Sequence, residues 1–139
     1  MNQMMSPTVE METDTKTLEL DVLAKKIMVV DDNPIVANII VTTLRRLGHT
    51  CVEVARSGKE AVTMAGRIHP DIVILDIDMP EMDGIETAQQ LTALYPCSII
   101  FSTGLCDSKT MKRTRGMPFV TYLVKPFSPA QLQAAVHHA

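Results

Sequence analysis

Residues 72–84 read Ile72-Val73-Ile74-Leu75-Asp76-Ile77-Asp78-Met79-Pro80-Glu81-Met82-Asp83-Gly84. An apolar, mostly β-branched run that ends abruptly in a carboxylate is the pattern of a parallel strand covered on both faces, which delivers its last residue to the carboxyl edge of a sheet. Asp76 is displayed at that edge. Pro80 biases Met79 towards extended geometry and Asp83-Gly84 supplies turn chemistry before the next helix, so the strand is followed by a shaped loop.

Working outward, Lys26-Ile27-Met28-Val29-Val30-Asp31 repeats the pattern as a buried first strand and also ends in acid, Asp31-Asp32. Pro34 at a first helical turn, with Val36, Ile40, Leu44 and Leu47 at helical spacing, predicts an amphipathic helix closed by Gly48. Thr50 to Ala55 reads as a second strand, and Ser57-Gly58-Lys59-Glu60 has capping-box spacing for a helix that Pro70 follows. After the Asp76 strand come a helix from Ile85 to Leu94, a strand from Ser98 to Ser102 and a short, weakly apolar helix from Lys109 to Arg115. Phe119 to Val124 is a fifth strand ending in Lys125-Pro126. Ser128-Pro129-Ala130-Gln131 combines a cap, a helix-starting Pro and a Gln at capping-box spacing, opening a last helix with Leu132, Ala135 and Val136 inward. Five strand–helix units in succession predict an α/β fold, a flavodoxin-like (βα)5 doubly wound parallel sheet of strand order 2-1-3-4-5. Ligands of such sheets bind beyond the carboxyl ends of the strands where the order reverses, between strands one and three. Those strands carry Asp31-Asp32 and Asp76.

The 139 residues suffice for one domain, expected over residues 25–139, and residues 1–24 read as a flexible, Met-, Thr- and acid-rich tail in which only Leu18, Leu20 and Val22 alternate. The net charge of −3 resides in that tail: Met1 to Lys25 holds five acids and two bases, and the remainder eleven of each. Neither part recommends a nucleic-acid partner. Cys51, Cys97 and Cys106 lack metal or redox spacing and read as reduced thiols. His49, His69, His137 and His138 show no metal spacing either. With no membrane-length apolar run and no secretion signal, the expectation is a cytoplasmic protein.

Three carboxylates converging at ~5 Å would repel by about 3 kcal/mol per pair at an effective dielectric of ~20. Either their pKa values rise or a divalent cation sits among them, and an oxygen-only, incompletely filled cluster suits Mg²⁺. The fourth strand ends in the hydroxyl of Thr103 and the fifth in the ammonium of Lys125. Metal and ammonium to neutralise phosphoryl oxygens, a hydroxyl to bond one and a carboxylate to attack are the parts of phosphoryl transfer to an aspartate.

Val29-Val30-Asp31-Asp32-Asn33, Asp76 to Gly84, Thr103 after an apolar strand and Tyr122-Leu123-Val124-Lys125-Pro126-Phe127 together resemble the receiver domain of bacterial two-component response regulators. The resemblance covers about Lys25 to Ala139. It implies a phosphoacceptor switch, not an enzyme acting on other substrates. A histidine kinase or phosphotransfer protein would phosphorylate Asp76. Mg²⁺ would be held by Asp32, Asp76 and the main-chain oxygen of Asp78, with Asp31 acting mainly through water. It further implies that Thr103 and Lys125 grip the phosphoryl group, that the Lys125-Pro126 bond is cis, and that Tyr122 turns inward on activation. Two departures are visible: Gly104 stands where the family usually has a residue such as Ala, and Asp78 puts a carboxylate where members vary.

Output is expected through the face made by the fourth helix, fifth strand and last helix, where Lys112, Arg113 and Arg115 cluster on a weakly apolar segment. The partner would be another protein or a second copy, with no direct nucleic-acid or membrane contact. Only fourteen residues follow Lys125, so the chain reads as a stand-alone receiver or as a piece of a larger regulator. The Tyr122 to Val136 stretch is similar to receivers that precede RNA-binding antiterminator domains, and a DNA-binding regulator is the parallel alternative. Asp76-Ile77-Asp78 also resembles the D-x-D of haloacid-dehalogenase-type phosphatases. That motif normally closes a first strand in a larger, capped protein, whereas here Met79-Pro80 follows a third strand.

Overall fold

The computed structural model describes residues 24–104 and 107–139; the expectations for the tail, its Leu18-Leu20-Val22 alternation included, and for Cys106 lie outside the described residues. The elements run β1 (Ile27–Val30), α1 (Pro34–Arg46), β2 (Val52–Ala55), α2 (Gly58–Ile68), β3 (Ile72–Asp76), α3 (Gly84–Leu94), β4 (Ser98–Thr103), α4 (Ser108–Thr114), β5 (Val120–Val124) and α5 (Pro129–His138). All five strands pair in parallel in the order β2-β1-β3-β4-β5, the doubly wound flavodoxin-like sheet that the alternation predicts.

Because successive side chains of a strand point to opposite faces, the apolar runs build two cores at once. Met28, Val30, Val73, Leu75, Ile99 and Phe101 pack on one side with Ala61 and Ala65 of α2 and Ile85, Ala88 and Leu91 of α3. Ile27, Val29, Ile72, Ile74 and Ile100 pack on the other with Ile40, Val41 and Leu44 of α1 and Leu132, Ala135 and Val136 of α5. The fourth helix stands apart: Thr114 is its one buried residue.

The helix starts follow their local chemistry. Asn33 caps α1, its Oδ1 accepting from the amides of Ile35 and Val36. The full reciprocal capping box forms at Ser128 and Gln131. At α2 only half of it does: Ser57 Oγ accepts from Glu60 N at 3.0 Å, but Glu60 Oε1 reaches back to the amide of Arg56. Strand ends also differ from expectation, most at the second and fifth strands. The second strand begins at Val52, and the fifth at Val120 because Phe119 turns through a positive φ of 56°.

Gly84, expected as a turn glycine, is needed for close approach. A Cβ there would lie 2.1 Å from Asp76 O and 2.7 Å from the Ile77 Cα. This lets α3 start against the end of β3, with Gly84 N donating to Ile77 O at 2.9 Å. Gly84→Ala should therefore destabilise the fold by about 2 kcal/mol, the usual cost of forcing volume into a packed site. Gly104→Ala, with nothing within 4 Å, should cost little. Equal denaturation midpoints for wild type and Gly84→Ala would refute this reading.

Candidate functional site

Neighbouring parallel strands that end together bring their following residues together. Asp31 follows β1 at 1% exposure and Asp76 closes β3 at 6%, while Asp32 faces solvent. One oxygen from each of the three lies within 4.8 Å of the others. The backbone supplies some compensation: Asn33 N donates to Asp31 Oδ1 at 2.9 Å and Asp78 N to Asp76 Oδ1 at 3.2 Å. From the end of β5, Lys125 brings its Nζ to 3.5 Å from Asp76 Oδ1 and 3.7 Å from Asp31 Oδ2. Asp31 Oδ2 is nevertheless buried and accepts no hydrogen bond from any described residue.

Burial pushes the Asp76 carboxyl above its ordinary value; Lys125 pulls it down, Asp31 adds to the rise, and the bond from the Asp78 amide opposes it. The rise prevails because the cost of burying the charge, with the repulsion of Asp31, outweighs the Lys125 ammonium and the Asp78 amide. A pocket of hard oxygen donors with an unsatisfied buried oxygen has the chemistry of a divalent-cation site.

Thr103 closes β4 beside this pocket and is buried. Its carbonyl accepts from Lys125 N at 2.7 Å, so the ends of β4 and β5 are tied, and the Lys125–Pro126 bond is cis as the resemblance implies. Asp78 is exposed on the loop after β3. Tyr122, in mid-β5, is half-buried: its ring stacks on Phe101 with centroids 5.8 Å apart, and its hydroxyl hydrogen-bonds Thr114 Oγ1.

The basic cluster of α4 divides. Lys112 and Arg115 are exposed, but Arg113 is drawn into an ion pair with Asp83 at 2.8 Å. Burial pushes the Asp83 carboxyl up, yet the Glu86 amide and the Arg113 guanidinium outweigh it and hold it low. This pair spans an open cleft of ≈ 440 Å³ next to the acidic pocket, with Asp78 and Met79 on one side and Asp107 and Thr110 on the other. Sequence reasoning missed the pair, since nothing local signals a contact between residues thirty apart. It also missed Asn33, whose amide orients Asp31 and whose position before Pro34 is a readable cap. Ile35 and Ile39, one turn apart in the first half of α1, are 70% and 59% exposed.

The fold and the site define a doubly wound α/β protein with an acidic pocket at its topological switch point. Residues 27–137 match the family model described as the response regulator receiver domain. The chain belongs to that family, whose members are signalling switches of two-component systems. It is 37% identical over 119 residues to the probable transcriptional regulator ycf27 of Cyanophora paradoxa, covering 84% of this chain and 48% of that protein. It is 31% identical over 115 residues to the transcriptional regulatory protein PdtaR of Mycobacterium tuberculosis, covering 83% and 56%. The chain thus spans about half the length of these curated relatives. Among solved structures, the signal receiver domain of a modulated diguanylate cyclase from Desulfovibrio desulfuricans superposes with a TM-score of 0.75 at 34% identity, covering 83% of this chain and 92% of that one. Chemotaxis protein CheY4 of Vibrio cholerae gives 0.74 at 28%, covering 81% and 96%.

The raised Asp76 fixes a pH dependence. A carboxyl whose folded value exceeds its unfolded one, 3.8, contributes stability that is fully present below that value and lost as pH rises through the folded one. In protein stripped of divalent cations, Asp76→Asn should raise the thermal midpoint near pH 7, and the gain should vanish near pH 3, where the wild-type carboxyl is protonated in both states. A gain that persists unchanged in acid would contradict this.

Proposed function

We propose that this chain is a phosphoryl-accepting switch in which Asp76 takes a phosphoryl group from a histidine kinase or phosphotransfer protein in the presence of Mg²⁺. The observation that carries the reading is the crowding of Asp31, Asp32 and Asp76 around one ammonium, with a buried carboxylate oxygen left unbonded. Asp32, Asp76 and the main-chain oxygen of Asp78 would hold the ion, with Asp31 acting mainly through water. Bound there, Mg²⁺ supplies positive charge against the oxygens of the transferring group.

The residues of the chain have distinct parts in the transfer. An Asp76 oxygen attacks the phosphorus of the donor phosphohistidine, the phosphorus–nitrogen bond breaks, and the imidazole leaves with the bonding pair. Lys125, already within 3.5 Å of Asp76, moves its ammonium onto a phosphoryl oxygen, and the Thr103 hydroxyl donates to another. Exposed Ile35 and Ile39, on the helix that follows Asp31-Asp32, would give the donor protein an apolar surface.

The signal leaves through α4, β5 and α5. The fourth helix buries one residue and is tied at its end by Arg113–Asp83 and Thr114–Tyr122, so it is the cheapest element to move when Thr103 and Lys125 reorganise. Tyr122, bonded to Thr114, carries that movement into β5. The surface can serve a separate partner, a second copy or an effector in the same polypeptide. The last case is the DNA- or RNA-binding regulator, favoured by relatives about twice as long that are named as transcriptional regulators.

With acetyl phosphate and Mg²⁺, Asp76→Asn should reduce incorporation to background. Removing one charge worth ~3 kcal/mol, Asp32→Ala should weaken Mg²⁺ binding roughly 100-fold. Acid-stable labelling of Asp76→Asn at the wild-type level would refute the assignment. For the output face, Lys112→Glu with Arg115→Glu, leaving the Arg113–Asp83 pair intact, should preserve phosphorylation. It should weaken partner capture or self-association of the phosphorylated protein more at low salt than at high. Unchanged association at low salt would remove α4 from the output surface.

A further inference from the structure

The Asp83 carboxylate joins two helices, one oxygen to each. Its Oδ1 accepts from the Glu86 amide at 2.9 Å, capping α3, and its Oδ2 accepts from the Arg113 guanidinium of α4 at 2.8 Å. The backbone around it is held from several sides. The Asp83 carbonyl takes the Thr87 amide at 3.0 Å and the Thr87 hydroxyl at 2.8 Å. The next residue, Gly84, donates to Ile77 O and has no room for a Cβ beside the Asp76 carbonyl. Asp83 is therefore fixed relative to the backbone of Asp76 itself.

The Arg113 end is held far less firmly. The seven residues of α4 are too few to persist as an isolated helix, and Thr114 is its one buried residue. Where a packed interface could stand, the open cleft of ≈ 440 Å³ separates α4 from Ile77, Asp78 and Met79. Asp107, on the α4 side, has its Oδ1 engaged by the Thr110 amide at 2.9 Å as the cap of α4. Arg113 instead crosses to the carboxylate that cannot follow the helix.

A contact made in one arrangement of a mobile element and lost in another weights the equilibrium towards the first by its net worth. We propose that the Arg113–Asp83 pair is an autoinhibitory clasp. It holds α4 in the resting arrangement, the one in which Lys125 pairs with Asp31 and Asp76, and it opens when the helix moves. It thereby sets both the output given before phosphorylation and the ease with which Asp76 is phosphorylated, and so rests on the reading of Asp76 as the phosphoacceptor. The clasp acts apart from Thr103 and Lys125, because its fixed end lies after β3 and they stand at the ends of β4 and β5. With side chains 39% and 25% exposed the pair is partly solvated, and a pair of this kind shifts a two-state equilibrium about two- to fivefold. That is enough to tune a switch and too little to lock it.

Asparagine caps a helix as well as aspartate does, so Asp83→Asn removes the charge and keeps the cap of α3. In the full chain without phosphodonor, Asp83→Asn and Arg113→Gln should each speed amide exchange at Met111 and Arg115 about threefold, and leave Thr87 and Tyr95 at the two ends of α3 unchanged. The double variant should go no further than either single one, and raising the salt concentration should speed exchange in the wild type but not in the variants. With acetyl phosphate and Mg²⁺ the same variants should incorporate phosphate about threefold faster. Unchanged exchange in α4 would overturn the clasp whatever becomes of Asp76, as would effects of the two substitutions that add. Faster exchange with an unchanged rate of labelling at Asp76 would overturn its autoinhibitory role while leaving the phosphoacceptor reading intact. Failure of the wild type to label at Asp76 would instead fell that reading and the autoinhibitory role with it, and the exchange data then judge the contact by itself.

Discussion

Negative charge confined at the carboxyl edge of a parallel sheet is the constraint on which the structure depends. The order β2-β1-β3 sets the ends of β1 and β3 side by side, and both strands run without interruption into acid. Asp31 and Asp76 are thereby buried together with a single ammonium nearby. Charges of one sign in a low-dielectric pocket are tolerated only where protons, cations or directed dipoles compensate them. The amides of Asn33 and Asp78 and the Lys125 ammonium do part of this, and the unbonded oxygen of Asp31 marks what they leave undone. An unfinished compensation of this kind is what allows a pocket to respond to a dication and to a phosphoryl group.

The same economy governs the rest of the carboxyl face. Four helices bury apolar stripes against the sheet and are fixed by them, whereas α4 buries only Thr114. Its attachments are polar, directional and exchangeable: a guanidinium on Asp83 and a hydroxyl on Tyr122. A packed core resists continuous deformation, so a change at Thr103 and Lys125 is more readily expressed in an element held by polar links such as these than in the sheet. On this account the pocket supplies the differential interaction and α4 supplies the compliance.

Much of this was legible in the sequence for definite reasons. Buried parallel strands must be apolar throughout, so Ile27–Val30 and Ile72–Asp76 declare themselves, and alternation with helical periods then leaves few topologies. Asp31, Asp32, Asp76, Thr103 and Lys125 could be grouped in advance because each stands at or just beyond a strand end. What could not be read were contacts without a local period. The Arg113–Asp83 pair recast a basic cluster as two exposed charges and one tether, and Gly84 proved to be required by the approach of α3 to β3 and not by a turn. Phe119, readable only as a strand residue, instead turns outward at the lip of a cleft on the far edge.

The central claim is that the crowded carboxylate at the end of β3 is the atom group that takes the phosphoryl. Borohydride reduces an acyl phosphate to the alcohol and so marks the acceptor in the polypeptide. After incubation of the wild-type chain with acetyl phosphate and Mg²⁺, reduction followed by peptide mass spectrometry should find the reduced side chain at residue 76 and, without Mg²⁺, little or none. Reduction at Asp31, Asp32 or Asp78 in place of Asp76, or no reduced residue despite incorporated phosphate, would contradict the account.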